Sequence, residues 1–111
     1  MTFRPPLVKL FSEQEKVVLW GIQLQDAQMN HIDFSGADLR RSRFVRVSFC
    51  GCDLSSANLE DVAFIACDLR GALLFNARLE GASFARSWLT AVEGLTAAQW
   101  RYVAERGGLF L

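Results

Sequence analysis

Large apolar residues recur at every fifth position along most of this chain. The series runs Leu19, Leu24, Met29, Phe34, Leu39, Phe44, Phe49, Leu54, Leu59, Phe64, Leu69, Leu74, Leu79, Phe84 and Leu89. Two residues before each member stands a small or β-branched residue in nearly every case, as in Val17, Ile22, Ala37, Val47, Cys52, Ala57, Val62 and Cys67. The remaining positions are mostly polar, and Gly21, Gly36, Gly51, Gly71 and Gly81 all fall two after the large residue, which marks that slot as a turn.

Neither a helix of 3.6 residues per turn nor a strand of period 2 keeps every fifth side chain on one buried face. A short extended segment followed by a corner does. Four such sides make a coil of about twenty residues that stacks on its neighbours, so residues twenty apart become partners at roughly 4.8 Å. The apolar series then sorts into columns such as Leu19, Leu39, Leu59, Leu79 and Leu24, Phe44, Phe64, Phe84.

The segments Ala37-Asp38-Leu39, Ala57-Asn58-Leu59 and Cys67-Asp68-Leu69 resemble the signature of the pentapeptide-repeat proteins, over about two thirds of the chain. That resemblance implies an all-β fold, a right-handed four-sided (quadrilateral) β-helix of about four coils. The reading divides one compact domain into an N-terminal capping segment (1–16), the β-helix (17–91), and a short C-terminal α-helical cap with an apolar tail (92–111).

The ends depart from the repeat. After residue 91 the period fails, because Gly94 takes the next large position. Thr96 then opens a helical pattern through Arg106, with Gly107 as its stop; Thr96 and Gln99 have capping-box spacing, and Leu95 and Trp100 fit a hydrophobic staple. Trp100, Val103 and Ala104 are placed to form one apolar face. With Leu109, Phe110 and Leu111 they read either as a lid over the last coil or as a homodimer contact, an arrangement that several pentapeptide-repeat relatives use. At the other end, Ser12 and Glu15 also have capping-box spacing, and a short strand is the alternative there.

Composition narrows the chemistry. A chain of 111 residues, 51% hydrophobic, suits one domain and holds no apolar run near the roughly 18 to 20 residues of a membrane-spanning helix. Charges at Arg4 and Lys9 around Pro5 and Pro6 do not fit a secretory signal, so cytoplasmic residence is expected. Twelve basic and twelve acidic residues balance, which argues against direct nucleic-acid binding through a broad basic field.

No catalytic, cofactor or metal constellation stands out. His31 falls in the turn slot and reads as a solvated surface residue; Asp33 and Asp53 share a column, but Leu73 follows and ends any carboxylate ladder. Cys52 and Cys67 occupy inward slots as compact hydrophobes, leaving Cys50 outward. Arg40, Arg41, Arg43 and Arg46 cluster around successive corners, with Arg86 in the column of Arg46, and read as a solvated face. More informative are apolar residues at positions that the repeat turns outward: Val45, Ala63 and Ile65 on one side, Leu73 and Phe75 on another, Trp88 on a third.

These features point to a non-enzymatic interaction scaffold that presents flat sides to a protein partner. The alternative that the resemblance implies is a DNA-mimicking binder of DNA gyrase or another type II topoisomerase. Eight acidic against seven basic residues between positions 17 and 91 weigh against mimicry of a duplex that carries one negative charge per roughly 1.7 Å.

Overall fold

The computed structural model describes residues 8–9 and 18–110. Its short strands are β1 (Val8–Lys9), β2 (Gln23–Gln25), β3 (Ile32–Asp33), β4 (Arg43–Val45), β5 (Ala63–Ile65), β6 (Ser87–Trp88) and β7 (Gly108–Leu109), with one helix, α1 (Ala97–Glu105), between the last two. Every strand pair is parallel. Within the repeat the partners lie twenty residues apart: Leu24 faces Phe44, and Phe44 faces Phe64, while single bridges such as Asp38 to Asn58 and Asn58 to Arg78 continue the ladder between strands. The twenty-residue register is therefore the one expected for four five-residue sides to a coil.

Each coil is held to the next by backbone bonds in two directions. Leu39 N donates to Asn58 O at 3.0 Å and Leu59 N to Arg78 O at 2.8 Å, while Asn58 N reaches back to Ala37 O at 2.8 Å. Between sides the chain turns at every fifth residue from Gly21 to Ala91, where φ is positive. Glycine fills only five of these fifteen corners, and residues such as Arg41, Ser56 and Asn76 take the others. A side chain in this conformation costs on the order of 1 kcal/mol, which the ladder bonds on either side outweigh.

The inward residues fill the coil. From Phe34 to Leu89 no large apolar member of the five-residue series is more than 3% exposed. Phe44, Phe64 and Phe84 stack along one column at 5.6 and 5.3 Å, and Phe49 meets Phe44 and Phe64 edge-on at 5.0 and 5.7 Å. Each burial is worth about 1.5 to 3 kcal/mol, so this series supplies the dominant stabilising term. Leu19, Ile22, Leu24, Ala27 and Met29 are only partly buried, because no further coil covers them among the described residues.

Two serines in the small inward slots have a specific task. Ser87 Oγ stands between the ends of the corner from Phe64 to Cys67 in the preceding coil, accepting from Cys67 N at 3.0 Å and donating to Phe64 O at 3.1 Å. Ser42 Oγ joins Ile22 N and Leu19 O in the same way, at 3.2 and 2.5 Å, where the direct turn bond is long at 3.4 Å. Cys52 and Cys67 donate their thiols along the same path, to Met29 O and Phe44 O at 2.8 and 3.3 Å. A second device works outside the coil: Asp33, Asp38, Asp53, Asn58 and Asp68 each accept, through Oδ1, the backbone N–H two residues on.

Helix α1 caps the last coil. Thr96 and Gln99 form the capping box reciprocally, at 3.1 and 3.0 Å. Gln99 Nε2 donates to Ala77 O at 3.2 Å, Tyr102 Oη accepts from Gly81 N at 2.6 Å, and Val103 is fully buried. Ala104 is exposed, so the inward face is Val103 flanked by Tyr102 rather than the expected Trp100, Val103 and Ala104. The chain then returns as β7 beside β6, where Leu89 N donates to Leu109 O at 2.8 Å and Phe84 N to Arg106 O at 3.0 Å. That return needs glycine: a Cβ on Gly107, at φ +97, would stand 2.8 Å from Ala85 Cα.

At the other end β1 joins β3 with Val8 opposite Ile32, a separation of twenty-four residues instead of twenty. The first turn of the path is thus four residues longer than a coil. The helix start expected at Ser12 and Glu15 lies outside the described residues.

Candidate interaction surfaces

The register assigns each outward residue to a side. One side, built on β2, β4 and β5, sets Val45 beside Ile65 and Arg43 beside Ala63. Val45, Ala63 and Ile65 are half-buried by their neighbours, and a shallow groove of about 310 Å³ runs between Gln23, Gln25, Arg43 and Val45. Half a coil away, a bridge on either flank places Leu73 between Asp53 and Glu93. Phe75 on that side is 47% exposed. Trp88 is 40% exposed on β6, in register with Leu109. The six residues proposed as a partner surface therefore occupy three sides and do not form one patch.

The C-terminal candidates separate by burial. Val103 is core, Leu109 and Phe110 are half-buried, and Trp100 packs against Phe110 with ring centroids 3.9 Å apart and planes tilted by 43°, while keeping 38% of its surface in contact with solvent. Leu111 lies outside the described residues. Much of the apolar tail is thus folded back onto its own last coil.

Three arginine–aspartate pairs tie charges around the corners. Arg40 grips Asp38 through two bonds of 2.9 and 2.8 Å, Arg70 holds Asp68 at 2.9 and 2.6 Å, and Arg46 reaches across one coil to Asp26 at 2.6 and 3.1 Å. These hydrogen bonds to guanidinium groups hold Asp26, Asp38 and Asp68 below the usual carboxylate range. Arg41 lies over the Trp20 ring at 5.4 Å, and Arg106 over Tyr102 at 4.5 Å. Of the basic residues expected to group around residue 40, Arg41, Arg43 and Arg86 make no ion pair among the described residues.

The remaining polar candidates are structural. His31 is half-buried, not solvated: its ring lies over Gly51 one coil on, where a Cβ would stand 2.6 Å from it. Cys50 is also half-buried, beside a groove of about 460 Å³, and its N–H donates to Asn30 Oδ1 at 2.9 Å. Burial pushes all three thiols up, Cys52 to about 12, which makes them poor nucleophiles at neutral pH. Among the described residues no three His, Cys, Asp or Glu side chains gather as a metal site, and no helix is long and apolar enough to cross a membrane.

Sequence reasoning did not single out Ser42, Ser87 or Tyr102. The serines could have been found from the twenty-residue register, since each is a polar residue in an otherwise apolar column of small side chains.

The family model described as Pentapeptide repeats matches residues 19–55 and 57–92, in eight copies. No protein with a curated description matches the chain. Among solved structures, a trypsin-treated form of QnrB1, a plasmid-mediated fluoroquinolone resistance protein, is 18% identical with a TM-score of 0.45, over 93% of this chain and 70% of that one. The pentapeptide repeat protein Rfr23 from the cyanobacterium Cyanothece 51142 is 21% identical with a TM-score of 0.32, over 69% and 76%. A pentapeptide repeat protein from the Arabidopsis thaliana thylakoid lumen is 20% identical with a TM-score of 0.30, over 83% and 60%. The chain thus spans less than two thirds of the Arabidopsis protein, and 58% of a second form of QnrB1.

Proposed function

The chain belongs to the pentapeptide-repeat family, and from that premise we propose that it is a non-enzymatic scaffold, a right-handed four-sided β-helix whose flat sides bind a protein partner. The observation that carries this reading is the exposure of Phe75 and Trp88, at 47% and 40%, on sides whose backbone bonds are already satisfied by the ladder. Neither ring belongs to the inward series that fills the coil. Such a ring on a rigid surface suits a contact, because little side-chain entropy is lost when it is covered.

The test is a pull-down with the wild type beside an Ile65→Glu, Phe75→Glu variant of equal thermal stability. A protein held by the first and lost by the second supports the reading; identical retention contradicts it. Recovery of gyrase subunits would favour the topoisomerase-binding alternative. The same proposal assigns a homodimer contact to the C-terminal end, with Trp100 as its most exposed ring. Light scattering at high protein concentration should then show a dimer that Trp100→Glu dissociates, and a wild-type monomer would contradict that assignment.

A further inference from the structure

Two opposite sides of the coil carry unlike charge. On the side built from β2, β4 and β5, the outward positions from Gln23 to Ala85 hold no carboxylate, and their one charge is Arg43. Half a coil away, the outward positions from Asp33 to Leu95 hold no lysine or arginine. Lys9 and Asp33 are backbone partners at the N-terminal edge, and the carboxylates farther along that side are Asp53 and Glu93. Neither makes an ion pair among the described residues, whereas Asp26, Asp38 and Asp68 elsewhere are each held by an arginine.

Each of these sides also has an apolar centre. Val45 and Ile65 are adjacent in register on the first; on the second, Leu73 lies between Asp53 and Glu93, with Phe75 exposed beside it. We propose that the two sides are complementary contact surfaces for a second copy of this chain, the Arg43 side of one molecule docking on the Asp53 and Glu93 side of the next. Val45 and Ile65 would then cover Leu73 and Phe75, and Arg43 would meet a carboxylate at the edge of the contact. Two flat ladders can approach to about 10 Å, the ordinary spacing of packed sheets.

The contact joins unlike surfaces, so it does not close on itself and extends into side-by-side chains of molecules. It is also small. A side of about four coils is roughly 15 to 20 Å tall at the strand spacing, which places the buried area near or below the ~1,200 Å² of transient complexes. Association is therefore weak and dependent on salt. The inference rests on the reading of the flat sides as contact surfaces, but its test does not require a foreign partner.

The experiment is sedimentation velocity over a concentration series of the whole chain reaching hundreds of micromolar, at low salt and at about 0.5 M salt. The proteins are the wild type, Arg43→Glu, Glu93→Arg, and an equimolar mixture of the two variants. Both substitutions are at exposed positions, and thermal melts establish that the variants fold. The wild type should associate beyond a dimer, with affinity about fivefold or more lower at high salt. Arg43→Glu alone should lose that association, because like charges then meet across the contact, and Glu93→Arg alone should weaken it, because Asp53 then shares its side with a positive charge. The mixture should regain it, since every contact between unlike variants is again between opposite charges.

A wild type that stays monomeric at low salt overturns the proposal. So does association that stops at a dimer and ignores both substitutions, an outcome that assigns self-contact to the C-terminal end. Failure of the mixture to re-associate also overturns it. Loss of foreign-partner capture with self-association intact would instead defeat the scaffold reading, so the two failures are distinguishable.

Discussion

The middle coils and the C-terminal cap bury apolar surface by different means. Between Phe34 and Leu89 the same solution is repeated: a large residue inward, a positive-φ corner two residues later, and ladder bonds to the residues about twenty positions away. The cap has no repetition to rely on. It depends on single residues: Thr96 at the helix start, Val103 against the coil, and Gly107 where the chain passes Ala85. A coil is stabilised by both of its neighbours, whereas the cap has the coil on one side only.

Breaking the middle should therefore have the largest effect. Leu59 is completely buried, and Leu59→Asp places an unpaired carboxylate where no solvent reaches. The variant should be unfolded by circular dichroism at room temperature; a cooperative melt near that of the wild type would refute the core assignment. Next in size is Ser87→Ala, which strands Cys67 N–H and Phe64 O together. A buried unsatisfied group costs about 1 to 3 kcal/mol, so chemical denaturation should show a loss in that range. Cys67→Ser, by contrast, keeps a donor on the same path to Phe44 O and should be near neutral.

The twenty-residue register and the core columns were legible from the five-residue period taken with the pentapeptide-repeat resemblance, and the helix from the Thr96 and Gln99 spacing where that period fails. The corners were legible only in part. Five glycines marked the slot and Asn76 suits it, but Arg41 and Ser56 adopt the same φ without any composition signal. The candidate surface was less legible still. Val45 and Ile65 could be called outward from the period alone, yet their half-burial by strand neighbours depends on side-chain packing that spacing does not contain. The tail shows the same limit: Leu109 and Phe110 read as either a lid or a dimer contact, and only the structure shows β7 continuing the ladder.

Smaller effects sharpen the contrast at the cap. Thr96→Ala removes the hydroxyl that accepts from Gln99 N and should cost about 1 kcal/mol. Native-state hydrogen exchange should show that loss as faster exchange in α1, with the middle coils unchanged; equal acceleration throughout would mean that cap and coil unfold as one unit. The smallest effect is electrostatic. Asp26, Asp38 and Asp68 have lowered folded-state pKa values, so their stabilising contribution is present above the ordinary carboxylate pKa of about 3.9 and is lost as pH falls through the folded values. These pairs are solvent-accessible, and screening keeps the contribution small. The melting temperature should be flat between about pH 7 and pH 5 and decline slightly below pH 4. A rise in stability on acidification through that lower window would contradict the pairing.

The central claim is that inward residues hold the fold and leave the outward apolar residues free to bind. It is tested most directly by the thermal melt of the Ile65→Glu, Phe75→Glu variant beside wild type and Leu59→Asp. The account predicts a cooperative transition within a few degrees of wild type for the outward pair, as surface substitutions usually give, and no folded baseline for Leu59→Asp. An outward variant as unfolded as Leu59→Asp would show that Ile65 and Phe75 belong to the core, and would remove the basis for assigning them to a contact.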